Sequence, residues 1–180
     1  MIEPLARLLG PETRKGLTTR PLPQLRDLRI QCSEVEGDIS LVRRVAQGRL
    51  DIVGHEVRRR AGDPQIDSPQ SLLFDLPDLL ADAPRPDGQR SRGRPVDVGV
   101  PGPVAAALVE RLDRAVSPAE LAGIDQTTDN EVREIFERLR SFELELSSAR
   151  HQLHERIDAI QSEIGRRYRD GEASIDSLLA

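Results

Sequence analysis

Apolar residues in two long stretches of the chain recur at alternating spacings of three and four, with polar residues between them. The first seam is interrupted by Arg49 and otherwise consists of Leu25, Leu28, Cys32, Val35, Ile39, Val42, Ala46 and Val53. The second consists of Ile135, Leu139, Phe142, Leu146, Ala149, Leu153, Ile157, Ile160 and Ile164. Apolar positions with this heptad spacing, sustained over several heptads, are typical of coiled-coil helices. The pattern predicts an all-α protein whose two long helices form an antiparallel coiled coil.

Capping and breaking residues predict where these helices begin and end. Pro23 suits a first helical turn, Gly62-Asp63-Pro64 ends a helix, and Thr128 and Glu131 form a capping box. The predicted organisation is a flexible segment at 1–22, a coiled-coil helix at 23–61, a linker at 62–127, a second coiled-coil helix at 128–170 and a tail at 171–180. Most of the prolines fall in the linker. We expect it to be partly disordered, with short helical pieces at Ser71–Ala81 and Pro103–Val116 and no third core element.

Composition narrows the classes of function. Only 2% of the residues are aromatic, which excludes the base-stacking platforms of common RNA- and single-strand-binding modules. The net charge of -5 argues against direct, non-specific binding to nucleic acid. The single cysteine, Cys32, excludes a disulfide framework, and no apolar stretch is long enough to span a membrane. We therefore expect a cytoplasmic protein.

Five polar residues on the first helix reappear on the second at a displacement of 107 positions. The pattern E-x3-S-x2-R-x3-Q/H-x3-D comprises Glu36, Ser40, Arg43, Gln47 and Asp51, and then Glu143, Ser147, Arg150, His154 and Asp158. These spacings keep each set on a stripe about 80° wide beside the apolar seam. Polar flanks of a coiled coil are ordinarily solvated, and this interpretation would suffice for one copy. Two copies in the same phase favour a retained function.

An antiparallel arrangement places both stripes on one face, running in opposite directions. Arg43 and Arg150 are then expected near the centre and the carboxylates towards both ends. Carboxylates accept from the N1 and N2 hydrogens of guanine, and arginines bind phosphate or guanine O6 and N7. A small molecule with two guanines, two phosphates and two-fold symmetry fits this face, and cyclic di-GMP is such a molecule.

The doubled motif resembles the RsiG family of actinobacterial anti-sigma factors, over roughly residues 25–60 and 130–170. The resemblance implies an antiparallel coiled coil that binds a dimer of cyclic di-GMP and then sequesters a sporulation sigma factor of the WhiG type. It implies that all ten motif residues contact the nucleotide, although His154 departs from the glutamine of the family pattern. Two motifs in one chain imply a monomer that forms a heterodimer with the sigma factor.

A second apolar ridge on the first helix, made of Leu41, Val45 and Ile52, lies far around from the motif stripe. It is a candidate surface for the sigma factor. Packing against the chain's own linker, for example Ser71–Ala81, is an equally good interpretation.

The sequence gives little support for catalysis or a metal site. Cys32 occupies a seam position, His151 and His154 have no third ligand nearby, and no phosphate-binding glycine loop is present. We therefore predict a protein that is not an enzyme and binds no metal. The rival hypothesis is a structural coiled-coil adaptor with no nucleotide ligand.

Overall fold

The computed structural model describes residues 2–62 and 101–171. Its helices are α1 (Glu3–Leu9), α2 (Pro11–Arg14), α3 (Leu22–Arg60), α4 (Pro103–Ala115), α5 (Pro118–Ala122) and α6 (Asp129–Arg169), with a 3₁₀ turn at Ile124–Gln126 between the last two. These described ranges contain no strand. The prediction of an all-α protein built on two long helices is confirmed.

The long helices α3 and α6 pack against each other in opposite directions. Arg29 near the start of α3 donates to Gln161 near the end of α6 (3.2 Å), and Arg60 at the end of α3 pairs with Asp129 at the start of α6 (2.9 Å). The predicted seam is buried over nearly its whole length, with Ile157 and Ile164 partly exposed. Each buried Leu, Ile or Val contributes about 1.5–3 kcal/mol to stability. The seam therefore holds the hairpin together.

Local signals explain the ends of the long helices. The Thr128 side chain accepts from the amide of Glu131, whose carboxylate accepts from the amide of Thr128 (2.8 Å), so the predicted capping box is present. Each long helix is followed by a glycine at positive φ, Gly62 at 72° and Gly171 at 71°. This left-handed conformation is strained for other residues and ends a helix.

Helix α4 forms part of the core, so the expectation that the linker supplies no third core element is wrong. Its Val104, Leu108 and Leu112 are buried against the hairpin. The Asp38 carboxylate on α3 accepts from the amides of Gly102 (3.0 Å) and Ala105 (3.1 Å), and so caps the start of α4. The other predicted piece, Ser71–Ala81, lies outside the described residues.

The N-terminal segment also differs from its expected flexible form. In its place the structure has α1 and α2, and Leu5 and Leu8 of α1 are buried in the same core as the hairpin. Their apolar contacts offset the entropy of ordering a short, proline-containing segment.

The displacement of 107 residues relates whole structural units as well as the motifs. Helices α2 and α5 correspond, as do α3 and α6. Arg49 on α3 donates to the carbonyl of Val116 (2.7 Å), and its counterpart Arg156 on α6 donates to the carbonyl of Leu9 (2.9 Å), which is the counterpart of Val116. The molecule therefore has an internal two-fold relation, and its motif residues stand in equivalent surroundings.

Candidate ligand-binding face

The ten motif residues form a single face of the hairpin, named here the motif face. Eight of them are partly buried at the α3–α6 contact, whereas Asp51 and Asp158 are exposed. The eight partly buried side chains therefore contact one another across the boundary between the helices and remain in contact with solvent. The two stripes converge as predicted, because residues of one motif bond residues of the other.

Glu36 is the centre of a cluster of three donors. Its Oε1 accepts from Ser40 Oγ one turn along α3 (2.7 Å) and from Arg150 Nε on α6 (2.9 Å). His154 Nε2, also on α6, lies 3.2 Å from the same oxygen. We call this group the Glu36 cluster. It joins the first two residues of one motif to the third and fourth residues of the other.

The second cluster repeats the first with the helices exchanged. Glu143 Oε1 accepts from Ser147 Oγ (2.8 Å), from Arg43 Nη1 (3.2 Å) and from Gln47 Nε2 (3.4 Å). This is the Glu143 cluster. The two clusters differ in chemical type at one position, where an amide in one corresponds to an imidazole in the other.

Charge and burial act against each other at Glu36. Burial raises the pKa of this carboxyl group, but the hydrogen bonds from Ser40 and Arg150 and the charges of His154 and Arg150 outweigh it, so the pKa lies below its usual value. Glu36 therefore stays ionised near neutral pH. On the same helix, Arg43 Nε is buried and has no hydrogen-bond partner within the described structure.

The order of groups along the face corrects one expectation. Arg43 and Arg150 do lie near the centre, but Glu36 and Glu143 lie there with them and not towards the ends, because each carboxylate pairs with the arginine of the opposite motif. The exposed Asp51 and Asp158 follow Gln47 and His154 by four positions, so the aspartates and not the glutamates lie at the two ends.

The candidate partner ridge is only partly open. Val45 is 39% exposed and Ile52 is 54% exposed, whereas Leu41 is partly buried against the core. Helix α4 runs beside this ridge, held by Asp38 and by the ion pair of Arg49 with Asp113 (2.5 Å). The ridge and the motif stripe lie on opposite flanks of the seam of α3.

Two arginine clamps at the ends of the hairpin were missed by the sequence analysis. The Arg60 guanidinium donates to two carbonyls that precede α6, those of Ile124 and Thr127. The Arg167 guanidinium donates to three carbonyls that precede α3, those of Leu17, Thr18 and Arg20. Arg60 and Arg167 are 107 positions apart, so the displacement that related the motifs would have revealed them.

A glutamate orients each clamp. Glu56 accepts from Arg59 and Arg60, and Glu163 accepts from Arg166 and Arg167. These hydrogen bonds lower the pKa of both glutamates to about 2. Both carboxylates are therefore ionised throughout the neutral range and hold the arginines in place.

Two further residues with chemically versatile side chains, Cys32 and His151, are not members of the two clusters. Cys32 is buried in the seam, and burial raises the pKa of its thiol, which disfavours the reactive thiolate. His151 lies 3.6 Å from Glu155 on the exposed side of α6. Within residues 2–62 and 101–171, no three His, Cys, Asp or Glu side chains are grouped as metal ligands would be. No helix in these same ranges is long and apolar enough to cross a membrane.

Comparison with known proteins gives one finding. A family model described as RsiG-like matches residues 11–80 and 118–180, which is more than half of the chain. The matched ranges contain α3, α6 and all ten residues of the motif face. A search of curated proteins finds no match.

Proposed function

This chain belongs to the RsiG-like family, and we propose that it is an anti-sigma factor that binds cyclic di-GMP and then sequesters a WhiG-type sporulation sigma factor. The family is one of regulatory anti-sigma factors, so the role of the chain is of the anti-sigma-factor type and not catalytic. The nucleotide, the type of sigma factor and a cytoplasmic location are the proposal.

The observation that carries the proposal is the pair of equivalent clusters centred on Glu36 and Glu143. Each has one carboxylate, one guanidinium, one hydroxyl and one amide or imidazole, related by the internal two-fold. A surface of this kind suits a ligand with the same symmetry. Because aromatic side chains are nearly absent from the chain, such a ligand has to supply its own stacking, as two stacked cyclic di-GMP molecules do.

Each type of side chain has a matching group on the nucleotide. Arg43 and Arg150 can bind the phosphates or the O6 and N7 edge of guanine through paired hydrogen bonds. The carboxylates can accept from guanine N1–H and N2–H₂. The ten residues carry a net charge of -2 when His154 is neutral. Binding of an anion therefore depends on the two arginines.

The arginines enter binding already oriented. Each is held across the hairpin by a glutamate of the other motif, at 2.9 Å for Arg150 and 3.2 Å for Arg43. The Nε of Arg43 has no hydrogen-bond partner among the described residues, so turning this guanidinium towards a ligand breaks no bond at Nε. A preorganised site loses less entropy on binding than a flexible one.

The sigma factor is proposed to contact the ridge of Leu41, Val45 and Ile52. Val45 and Ile52 are exposed aliphatic side chains beside α4, on the flank of α3 away from the nucleotide. Nucleotide bound across α3 and α6 would fix both helices and so favour one form of this surface. The chain supplies both motifs by itself, which supports a monomer that forms a heterodimer with its partner.

Isothermal titration with cyclic di-GMP tests the proposal. We expect the purified chain to bind, alone or in the presence of a WhiG-type sigma factor, and the double variant R43A/R150A to lose binding. Arg114→Ala is the control for the loss of an arginine, because the exposed Arg114 lies on α4 and, among the described residues, donates to the carbonyl of Glu110 on its own helix. Unchanged affinity of R43A/R150A would contradict the assignment of the site.

The second candidate is a structural adaptor without a nucleotide. It is favoured by one observation: the clusters satisfy most of their donors and acceptors within the protein. Absence of nucleotide binding both with and without the sigma factor would support the adaptor. Sigma-factor binding that requires the nucleotide would exclude it.

A further inference from the structure

The one chemical difference between the two clusters lies at Gln47 and His154. Gln47 Nε2 lies 3.4 Å from Glu143, and His154 Nε2 lies 3.2 Å from Glu36, in equivalent positions of the internal two-fold. An amide keeps the same charge at every pH, whereas an imidazole gains a positive charge in mildly acidic solution. One half of the motif face can therefore change its charge under conditions in which the other half cannot.

We propose that His154 is a pH-dependent determinant of ligand affinity, so that acidification strengthens binding of an anionic nucleotide through the Glu36 cluster alone. This inference rests on the proposed function, since it concerns the same face. It adds a regulation of ligand affinity by pH that two chemically identical clusters would not give to one half of the face alone.

The charges around His154 determine the direction of the effect. From α3 it faces Glu36, and on its own helix Arg150 and Asp158 lie one turn before and one turn after it. With a neutral imidazole these groups and His154 carry a net charge of -1, and with a protonated imidazole the net charge is zero. With a protonated His154, this half of the motif face therefore repels a phosphate less than with a neutral one. The Gln47 half, with Glu143, Arg43 and Asp51, keeps its charge of -1.

Protonated His154 also keeps Glu36 in place. Its charge is one of the causes that lower the Glu36 pKa, so the imidazolium and the carboxylate stabilise each other. The Arg150 guanidinium, which shares this carboxylate, then has less of its charge neutralised by Glu36. More of the positive charge of Arg150 is available to a phosphate.

Titration of cyclic di-GMP into the full chain at pH 7.5 and pH 5.5 measures the effect. We expect wild-type affinity to rise about fivefold at the lower pH, as for one unit charge at roughly 8 Å in a half-exposed site. His154→Gln, which copies the chemistry of the other half, should bind with less than a twofold change between the two pH values. Gln47→His should show a larger change than wild type.

An equal pH effect in wild type and H154Q would overturn the proposal. The same titrations separate this failure from failure of the proposed function. Wild-type chain that binds no nucleotide at either pH value refutes the proposed ligand, whereas binding with a pH effect that persists in H154Q refutes only the role of His154.

Discussion

Arg150 donates from Nε to Oε1 of Glu36 across the hairpin at 2.9 Å, and 107 positions earlier in the chain Arg43 makes the equivalent bond to Glu143 at 3.2 Å. Each motif therefore holds the arginine of the other. Neither set of five residues orients its own arginine, since each arginine is held by a glutamate of the opposite helix. The consequences for stability and for binding can be tested separately.

Replacing Glu36 by Gln should lower the stability of the hairpin by about 1 kcal/mol at pH 7, because a partly exposed ion pair contributes modestly. The pKa of Glu36 is lower in the folded chain than its usual 4.5. Its stabilisation is therefore present above the unfolded pKa and is lost as the pH falls through the folded pKa. The difference in free energy of unfolding between wild type and E36Q should shrink from pH 7 to pH 3, as measured by urea denaturation.

Glu34→Gln is the control for this series. Glu34 lies two positions away on the same helix with its side chain exposed. Its substitution should leave the free energy of unfolding within about 0.5 kcal/mol of wild type. A wild-type to E36Q difference that stays constant across the pH range would contradict the assigned ion pair.

Arg60→Ala should loosen the start of α6. The guanidinium bonds the carbonyls of Ile124 and Thr127, each at 2.8 Å, and its removal takes a charged donor from both of these partly buried acceptors. We expect a loss of about 1–3 kcal/mol in the free energy of unfolding. Hydrogen exchange should become faster at amides 124–132, while the middle of α3 keeps its protection.

Arg58 provides the comparison for Arg60. It is exposed on the last turn of α3, and its change to Ala removes the same charge without touching the turn before α6. Arg60→Lys should also fail to restore protection, since an ammonium lacks the planar set of donors that spans several carbonyls. Equal exchange rates in R60A and R58A would rule out the clamp.

The sequence predicted the two long helices well because seam positions such as Leu139 and Leu153 follow a single period over many turns. It did not predict the roles of α1 and α4. Leu8 and Leu108 belong to short, proline-flanked segments, whose burial depends on contacts with residues far away in the chain. The cap that Asp38 on α3 provides for α4 is a long-range interaction, which no local sequence pattern predicts.

The displacement of 107 held more information than the motifs alone revealed. Arg49 interrupts the apolar seam, and Arg156 at the equivalent place lies beside the second seam. Both reach carbonyls at the ends of the short helices, so a charged residue at the seam has a structural role. The central location of the glutamates was also missed, because the pairing of Glu36 with Arg150 depends on the register between α3 and α6.

Asp38→Ala should release α4 without changing the motif face. It removes the acceptor for the amides of Gly102 and Ala105, and loss of such a cap costs about 1–2 kcal/mol. Limited proteolysis should then cut more readily near residue 102. Nucleotide affinity should stay within twofold of wild type, because Asp38 lies on the flank of α3 away from the motif stripe.

Asp38→Asn is the milder comparison, since an amide oxygen can still accept one of the two bonds. Its protease sensitivity should lie between those of wild type and D38A. Loss of nucleotide binding in D38A, with α3 and α6 still helical, would show that α4 contributes to the site.

Exchanging the charges of Glu36 and Arg150 separates the structural role of the pair from its role in binding. The single variant R150E places two carboxylates together and should lower the free energy of unfolding by about 1–2 kcal/mol. The double variant E36R/R150E restores opposite charges and should recover at least half of this loss. Both variants should lose nucleotide binding alike, because the guanidinium and the carboxylate have exchanged helices relative to the unaltered Arg43 and Glu143. Urea denaturation measures the stability of each variant, and calorimetry on the same samples measures its nucleotide affinity. A double variant that regains nucleotide affinity along with stability would show that the pair stabilises the hairpin without contacting the ligand.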